Sequence, residues 1–128
     1  MGVANYRELR VWKCGVQLAL DVYRLTAKFP QQEVYGLSSQ MQRAAVSVSA
    51  NIAEGACRDS TKEYLRFIAI SRGSLAELQT FLQIVRGLNY VNNAGLEPIE
   101  SASDSIARML RSMQCSLRLR MKRQNPDL

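Results

Sequence analysis

Histidine is absent from this chain, and its three cysteines, Cys14, Cys57 and Cys115, stand too far apart for a zinc-binding spacing. Metal ligation and Cys–His catalysis therefore both lack their usual partner. An odd number of scattered cysteines reads as reduced thiols, and with it a cytoplasmic protein. No run of about 18 apolar residues occurs, so no membrane span is expected. The N-terminal residues, with Arg7 and Glu8, lack the apolar core of a signal peptide. Gly2 superficially suits a myristoylation start, but Tyr6 stands where serine or threonine is required. There is no glycine-rich phosphate loop, no nucleophile elbow and no metal-binding carboxylate motif. The chain is accordingly read as non-enzymatic, with no catalytic residue, metal or cofactor. It also shows no internal repeat of 20 to 50 residues.

What is present is ordinary for a globular protein. At 128 residues, 47% of them apolar, the chain is long enough for one core, and residues 1–128 are read as a single domain. The net charge is +6 and the pI about 9.6, a balance that favours acidic partners such as nucleic acid.

Helical periodicity dominates. The pattern predicts helices over about 6–28, 37–54, 61–88 and 97–123. Phe29-Pro30 ends the first, because proline disfavours helical geometry in the residue before it. Its apolar positions cover more than half its circumference, where a one-sided surface helix needs a stripe of about 100°. That helix is expected to bury one side in its own bundle and another against a second subunit. Trp12, Tyr23 and Tyr64 fall on apolar arcs and read as core. The second helix has Ser38 or Ser39 as candidate caps and Gly55 as a left-handed terminal residue. Ser60-Thr61-Lys62-Glu63 is a capping box for the third. Pro98 suits the first turn of the fourth. Four such helices with short links give an all-α, antiparallel up-down-up-down four-helix bundle.

Residues 40–55 are the unusual stretch: only Arg43 and Glu54 carry charge among small and apolar neighbours. Gln40, Arg43, Ser47, Asn51 and Glu54 share one narrow strip; Arg66, Gly73 and Glu77 share another on the third helix. A tight hairpin between the two helices would set Arg43 against Glu77, Glu54 against Arg66, and Ser47 against Gly73. This reads as a structural seam of ion pairs. Glu54 and Glu77 would lie more than about 15 Å apart by helical rise, too far for a cooperating acid–base pair.

A second constellation is basic. Arg108, Arg111, Arg118 and Lys122 fall on one solvent face of the fourth helix, and Arg10, Lys13, Arg24 and Lys28 point outward from the first. Such repeated cations neutralise phosphates and release counterions. With little exposed aromatic interleaving, the expected contact is to RNA or DNA backbone or shape.

Several motifs together resemble the four-helix-bundle family of the 23S rRNA intervening-sequence protein. They are Leu9-x-Val11-Trp12, Phe29-Pro30 followed by Glu33-x-x-Gly36-Leu37, Gln40-x-x-Arg43-Ala44-Ala45-Val46-Ser47, Asn51-Ile52-Ala53-Glu54-Gly55, and Arg72-Gly73-Ser74-x-x-Glu77. The resemblance implies a homopentameric ring and a bacterial, nucleic-acid-associated role. Relatives serve as accessory proteins of diversity-generating retroelements, so it also implies a reverse transcriptase or other protein as partner. It brings no catalytic residues. The leading expectation is an oligomeric nucleic-acid-binding scaffold; the alternative is a protein-interaction ring or accessory subunit without intrinsic nucleic-acid binding.

Overall fold

The computed structural model describes residues 5–124, which form four helices: α1 (Arg10–Thr26), α2 (Leu37–Ala56), α3 (Thr61–Leu88) and α4 (Asn93–Gln124). Each packs on its two neighbours in chain order, and α1 closes the square against α4. Leu18, Val22, Met41, Val48, Ile52, Ile68, Leu78, Leu82, Ile106 and Leu110 are sealed in the centre. The expected antiparallel bundle is the fold, and no described helix is long and apolar enough to cross a membrane.

The ends of the helices differ from expectation in instructive ways. The first predicted helix is divided. Asn5 accepts a hydrogen bond from the Arg7 amide (2.9 Å) and closes a single 3-10 turn, Tyr6–Glu8. Leu9 is then extended (φ −70°, ψ 125°), and α1 begins only at Arg10. At the other end the chain tightens before Pro30: Lys28 N–H bonds to Leu25 C=O and Phe29 N–H to Thr26 C=O. These i to i−3 bonds end α1 at Thr26, two residues early.

Neither Ser38 nor Ser39 caps α2. Gly36 occupies the cap position, and the Glu33 carboxylate accepts from the Leu37 amide instead (3.3 Å). Gly55 is inside the helix, not a left-handed terminus. An added Cβ there would meet Phe67 Cβ at 2.8 Å and Tyr64 Cδ1 at 3.0 Å. Glycine is needed because α3 comes so close. Ser60 does cap α3, accepting from the Glu63 amide (3.1 Å), but the Glu63 carboxylate turns to Arg66 rather than back to the cap. Asn89 closes α3 in the left-handed region (φ 57°).

α4 starts four residues ahead of its predicted beginning. The Asn92 side chain accepts from the Gly95 amide (2.9 Å) and nucleates the turn, so Pro98 lies inside the helix and not at its first position. The Ala94 carbonyl consequently lacks the amide that any other residue at 98 would supply.

The uncharged character of α2 is explained by its place. It packs on both α1 and α3, with Met41, Ala45, Val48 and Ile52 fully enclosed. α1 and α2 approach closely where Gly15 lies against Ser49: a Cβ on Gly15 would stand 3.1 Å from Ser49 Cβ. The wide apolar arc of α1 is only partly used. Val11, Leu18, Val22 and Leu25 are buried, whereas Leu20 and Tyr23 remain about half exposed, so Tyr23 is not a core residue of the single chain.

Candidate nucleic-acid interface

The α2–α3 seam is polar, but its partners are not those the hairpin register suggests. Ser47 Oγ meets Ser74 Oγ at 2.8 Å, and Ser71 Oγ donates to the Val48 carbonyl at 2.8 Å. Asn51 Nδ2 donates to the carbonyl and hydroxyl oxygens of Ser47 (2.8 and 2.9 Å). Ser47 therefore packs on Ser74 and not Gly73, around which no atom lies within 4 Å of a built Cβ.

Neither expected cross-helix ion pair forms among the described residues. Glu54 pairs with Arg58 one turn on (3.7 Å), and Arg66 with Glu63 (3.1 Å). Both pairs are local in sequence, and being exposed they add little to stability. Arg43 and Glu77 do line one open hollow of about 530 Å³, together with Tyr35, Gln40, Ser47 and Ser74. They make no ion pair there, and Tyr35 is 96% exposed. Phe67 carries two guanidinium groups on its ring, Arg58 at 4.7 Å and Arg66 at 4.5 Å from the centroid.

The α3–α4 seam, which the sequence left unassigned, holds more. Arg72 Nη1 donates to Gln114 Oε1 (2.6 Å), and Gln79 Nε2 donates to Ser103 (3.3 Å) and Asp104 (3.1 Å). Arg86 forms a short ion pair with Glu100, which also accepts from Gln83 (3.3 Å). These partners were missed because glutamine and arginine at helical spacing resemble a solvated face until the neighbouring helix is placed.

Four groups have displaced protonation equilibria. Tyr64 is enclosed and its hydroxyl has no partner among the described residues, so burial pushes its pKa up, partly offset by Arg120. The Tyr90 hydroxyl donates to Glu33 (2.6 Å), which raises its pKa. The Arg66 hydrogen bond holds the Glu63 carboxyl below its ordinary value, and Glu63 in turn raises Arg66.

All eight cations proposed for nucleic acid are exposed: Arg10, Lys13 and Arg24 on α1, Lys28 in the turn after it, and Arg108, Arg111, Arg118 and Lys122 on α4. They do not make one patch with a shared α1–α4 face. Arg24 and Lys28 border a hollow with Asp21, Gly95 and Pro98, and Arg24 is paired with Asp21 (3.3 Å). Arg118 and Lys122 lean the other way, toward Lys62 and Arg66 of α3.

The charges are instead sorted along the bundle axis. The Ser47–Ser74 bond marks a midplane, and Arg111 lies close to that level on α4. Among the described residues, eleven basic and four acidic ones stand on the side of the α2–α3 turn. On the opposite side, five basic residues face six acidic ones. One end of the molecule is strongly positive and the other nearly neutral.

The described residues thus form a four-helix bundle whose cations gather toward one end. The family model described as 23S rRNA-intervening sequence protein matches residues 7–112, and the chain belongs to that family. Among solved structures, it is similar to a protein of unknown function from the S23 ribosomal protein family of Bacteroides thetaiotaomicron. The two share 21% identity and a TM-score of 0.74, over 81% of this chain and 97% of the other. Comparison with curated proteins gave no match.

Proposed function

We propose that this chain is a non-enzymatic, oligomeric scaffold of the bacterial cytoplasm that binds RNA or DNA backbone through the positive end of its bundle. The axial sorting of charge carries the reading. Eleven cations against four acids on one side of the midplane give a field that attracts polyanions, whereas the other end is balanced. The family description, which refers to 23S rRNA, is consistent with such a partner. The contacts assigned to it are Arg10, Lys13, Arg111, Arg118 and Lys122, with Arg24, Lys28 and Arg108 peripheral because acids neighbour them.

Self-association, for which the family resemblance implies a ring of five copies, is supported by the half-exposed Leu20 and Tyr23 of α1 and Val46 of α2, apolar side chains that one chain leaves open. The same observation favours a second reading, a protein-interaction ring that docks a reverse transcriptase or other protein without binding nucleic acid itself.

Fluorescence anisotropy with labelled duplex and single-stranded RNA, titrated at several salt concentrations, separates the two. Binding should weaken steeply with salt, and the double reversal Arg10→Glu with Arg111→Glu should lower the log–log slope by about 2. Absence of binding at low salt would sink the leading reading.

A further inference from the structure

Toward the positive end, α3 and α4 flank an open groove of about 560 Å³. Its floor is apolar: Leu65 and Ala69 from α3 and Met121 from α4. Lys62 and Arg66 form one rim, Arg118 and Lys122 the other, and all four are exposed. Glu63 is the one acid among the lining residues, and it is engaged by Arg66 at 3.1 Å. Lys62, Arg118 and Lys122 have no carboxylate partner among the described residues.

Gln114 adds a second, independent sign. It is only 4% exposed and lines the groove. Its Oε1 accepts from Arg72 at 2.6 Å, and arginine can only donate, so the orientation of the amide is fixed. The amide N–H groups then point away from Arg72, and no acceptor among the described residues takes them. They are not sealed in, since the Tyr64 hydroxyl is the one enclosed and unpartnered side-chain atom described. Apart from the engaged Glu63, the groove offers donors and cations around an apolar floor.

We propose that this groove docks an acidic amphipathic helix of a partner protein. Lys62 to Ala69 spans about two turns, or about 12 Å at 1.5 Å per residue, which matches anchors at i, i+3 or i+4, and i+7 of a helix laid along it. Carboxylates flanking those anchors reach Lys62 on one side and Arg118 and Lys122 on the other, and one of them accepts from the Gln114 amide. Nucleic acid fits less well. No aromatic ring lines the groove for base stacking, and a phosphodiester chain would leave Leu65, Ala69 and Met121 uncovered by apolar atoms. The proposal goes beyond backbone binding, because Lys62, Leu65 and Met121 take no part in it. Gln114, Arg118, Met121 and Lys122 also lie beyond the residues matched by the family model.

The probe is a fluorescein-labelled 15-residue helical peptide with leucines at i, i+3, i+4 and i+7 and flanking glutamates. Its control replaces the glutamates with lysines. Anisotropy with the full chain should show saturable binding of the acidic peptide, at least tenfold tighter than the control. Met121→Asp, and separately Lys62→Glu with Lys122→Glu, should each weaken it tenfold or more, with circular dichroism confirming that the variants fold. Arg10→Glu with Lys13→Glu should change it less than twofold. Equal binding of the two peptides overturns the proposal, as does an equal loss in the Arg10 and Lys13 variant. It is also overturned if Met121→Asp, which removes no assigned nucleic-acid contact, weakens duplex RNA as much as the peptide, which would make the groove a nucleic-acid site. Dissociation of a wild-type assembly by Met121→Asp in sedimentation would make it a seam between copies and likewise overturn it.

Discussion

Three residues with similar sequence credentials have opposite structural meaning. Gly55 and Gly73 both lie within helices and both belong to motifs shared with the family. Gly55 admits no Cβ, because Phe67 and Tyr64 occupy that space, whereas Gly73 faces open surroundings. Gly55→Ala should cost about 1–3 kcal/mol through overpacking. Gly73→Ala should stabilise by up to about 1 kcal/mol through helix propensity. Urea unfolding of the two variants reads the difference in sign directly. Tyr64 is the third case: its hydroxyl is buried without a partner among the described residues. Tyr64→Phe removes that unsatisfied group and should raise the denaturation midpoint by an amount equivalent to about 1 kcal/mol.

Ionisation supplies a further prediction at this scale. The Glu63 carboxyl titrates below its unfolded value because Arg66 favours the charged form. Its contribution is therefore present above the unfolded carboxyl pKa and lost as pH falls through the folded one. Tyr64 and Tyr90 are raised, so their contribution is complete below the unfolded tyrosine pKa and lost as pH rises beyond it. Thermal melts should show a plateau at neutral pH, with Tyr64→Phe reducing the alkaline loss. An alkaline limb unchanged in that variant would contradict the assignment to Tyr64.

Among the elements, helices and their order were legible because the 3.6-residue period of apolar side chains survives any detail of packing. Tyr64, Phe67, Ile68, Leu75, Leu78, Leu82 and Val85 on α3, and Ile99, Ile106, Leu110 and Leu117 on α4, stand at that spacing and are buried. Boundaries were less legible, since they depend on which polar side chain reaches a free amide. Glu33 and not Ser38 serves α2, and Asn92 starts α4 ahead of Pro98. The expected pairs of the α2–α3 seam failed for a related reason. Spacing within a helix identifies a shared face, but nearby Arg58 and Glu63 competed successfully for Glu54 and Arg66. The groove between α3 and α4 was invisible in the sequence because it needs two distant segments side by side. Pro98 allows a direct check on the beginning of α4. Pro98→Ala restores an amide to the Ala94 carbonyl inside the helix and should stabilise by up to about 3 kcal/mol. A loss of stability in guanidinium titration would instead favour a helix that starts at the proline.

For the whole molecule, the sorting of charge between the two ends bears on the proposed assembly as well as on the proposed binding. Side-by-side association of chains pointing the same way, as a closed ring requires, brings every positive end to one rim. Each added copy then works against the mutual repulsion of that rim. The repulsion is screened as the Debye length falls from about 10 Å at 0.1 M ionic strength to about 3 Å at 1 M. Sedimentation velocity should therefore show larger species at high salt than at low salt, the opposite of the trend for nucleic-acid affinity. A polyanion seated on the rim removes the same repulsion at low salt, so binding and assembly are thermodynamically linked in such a ring. If the proposed ring forms, it closes most readily with a polyanion already seated on its rim.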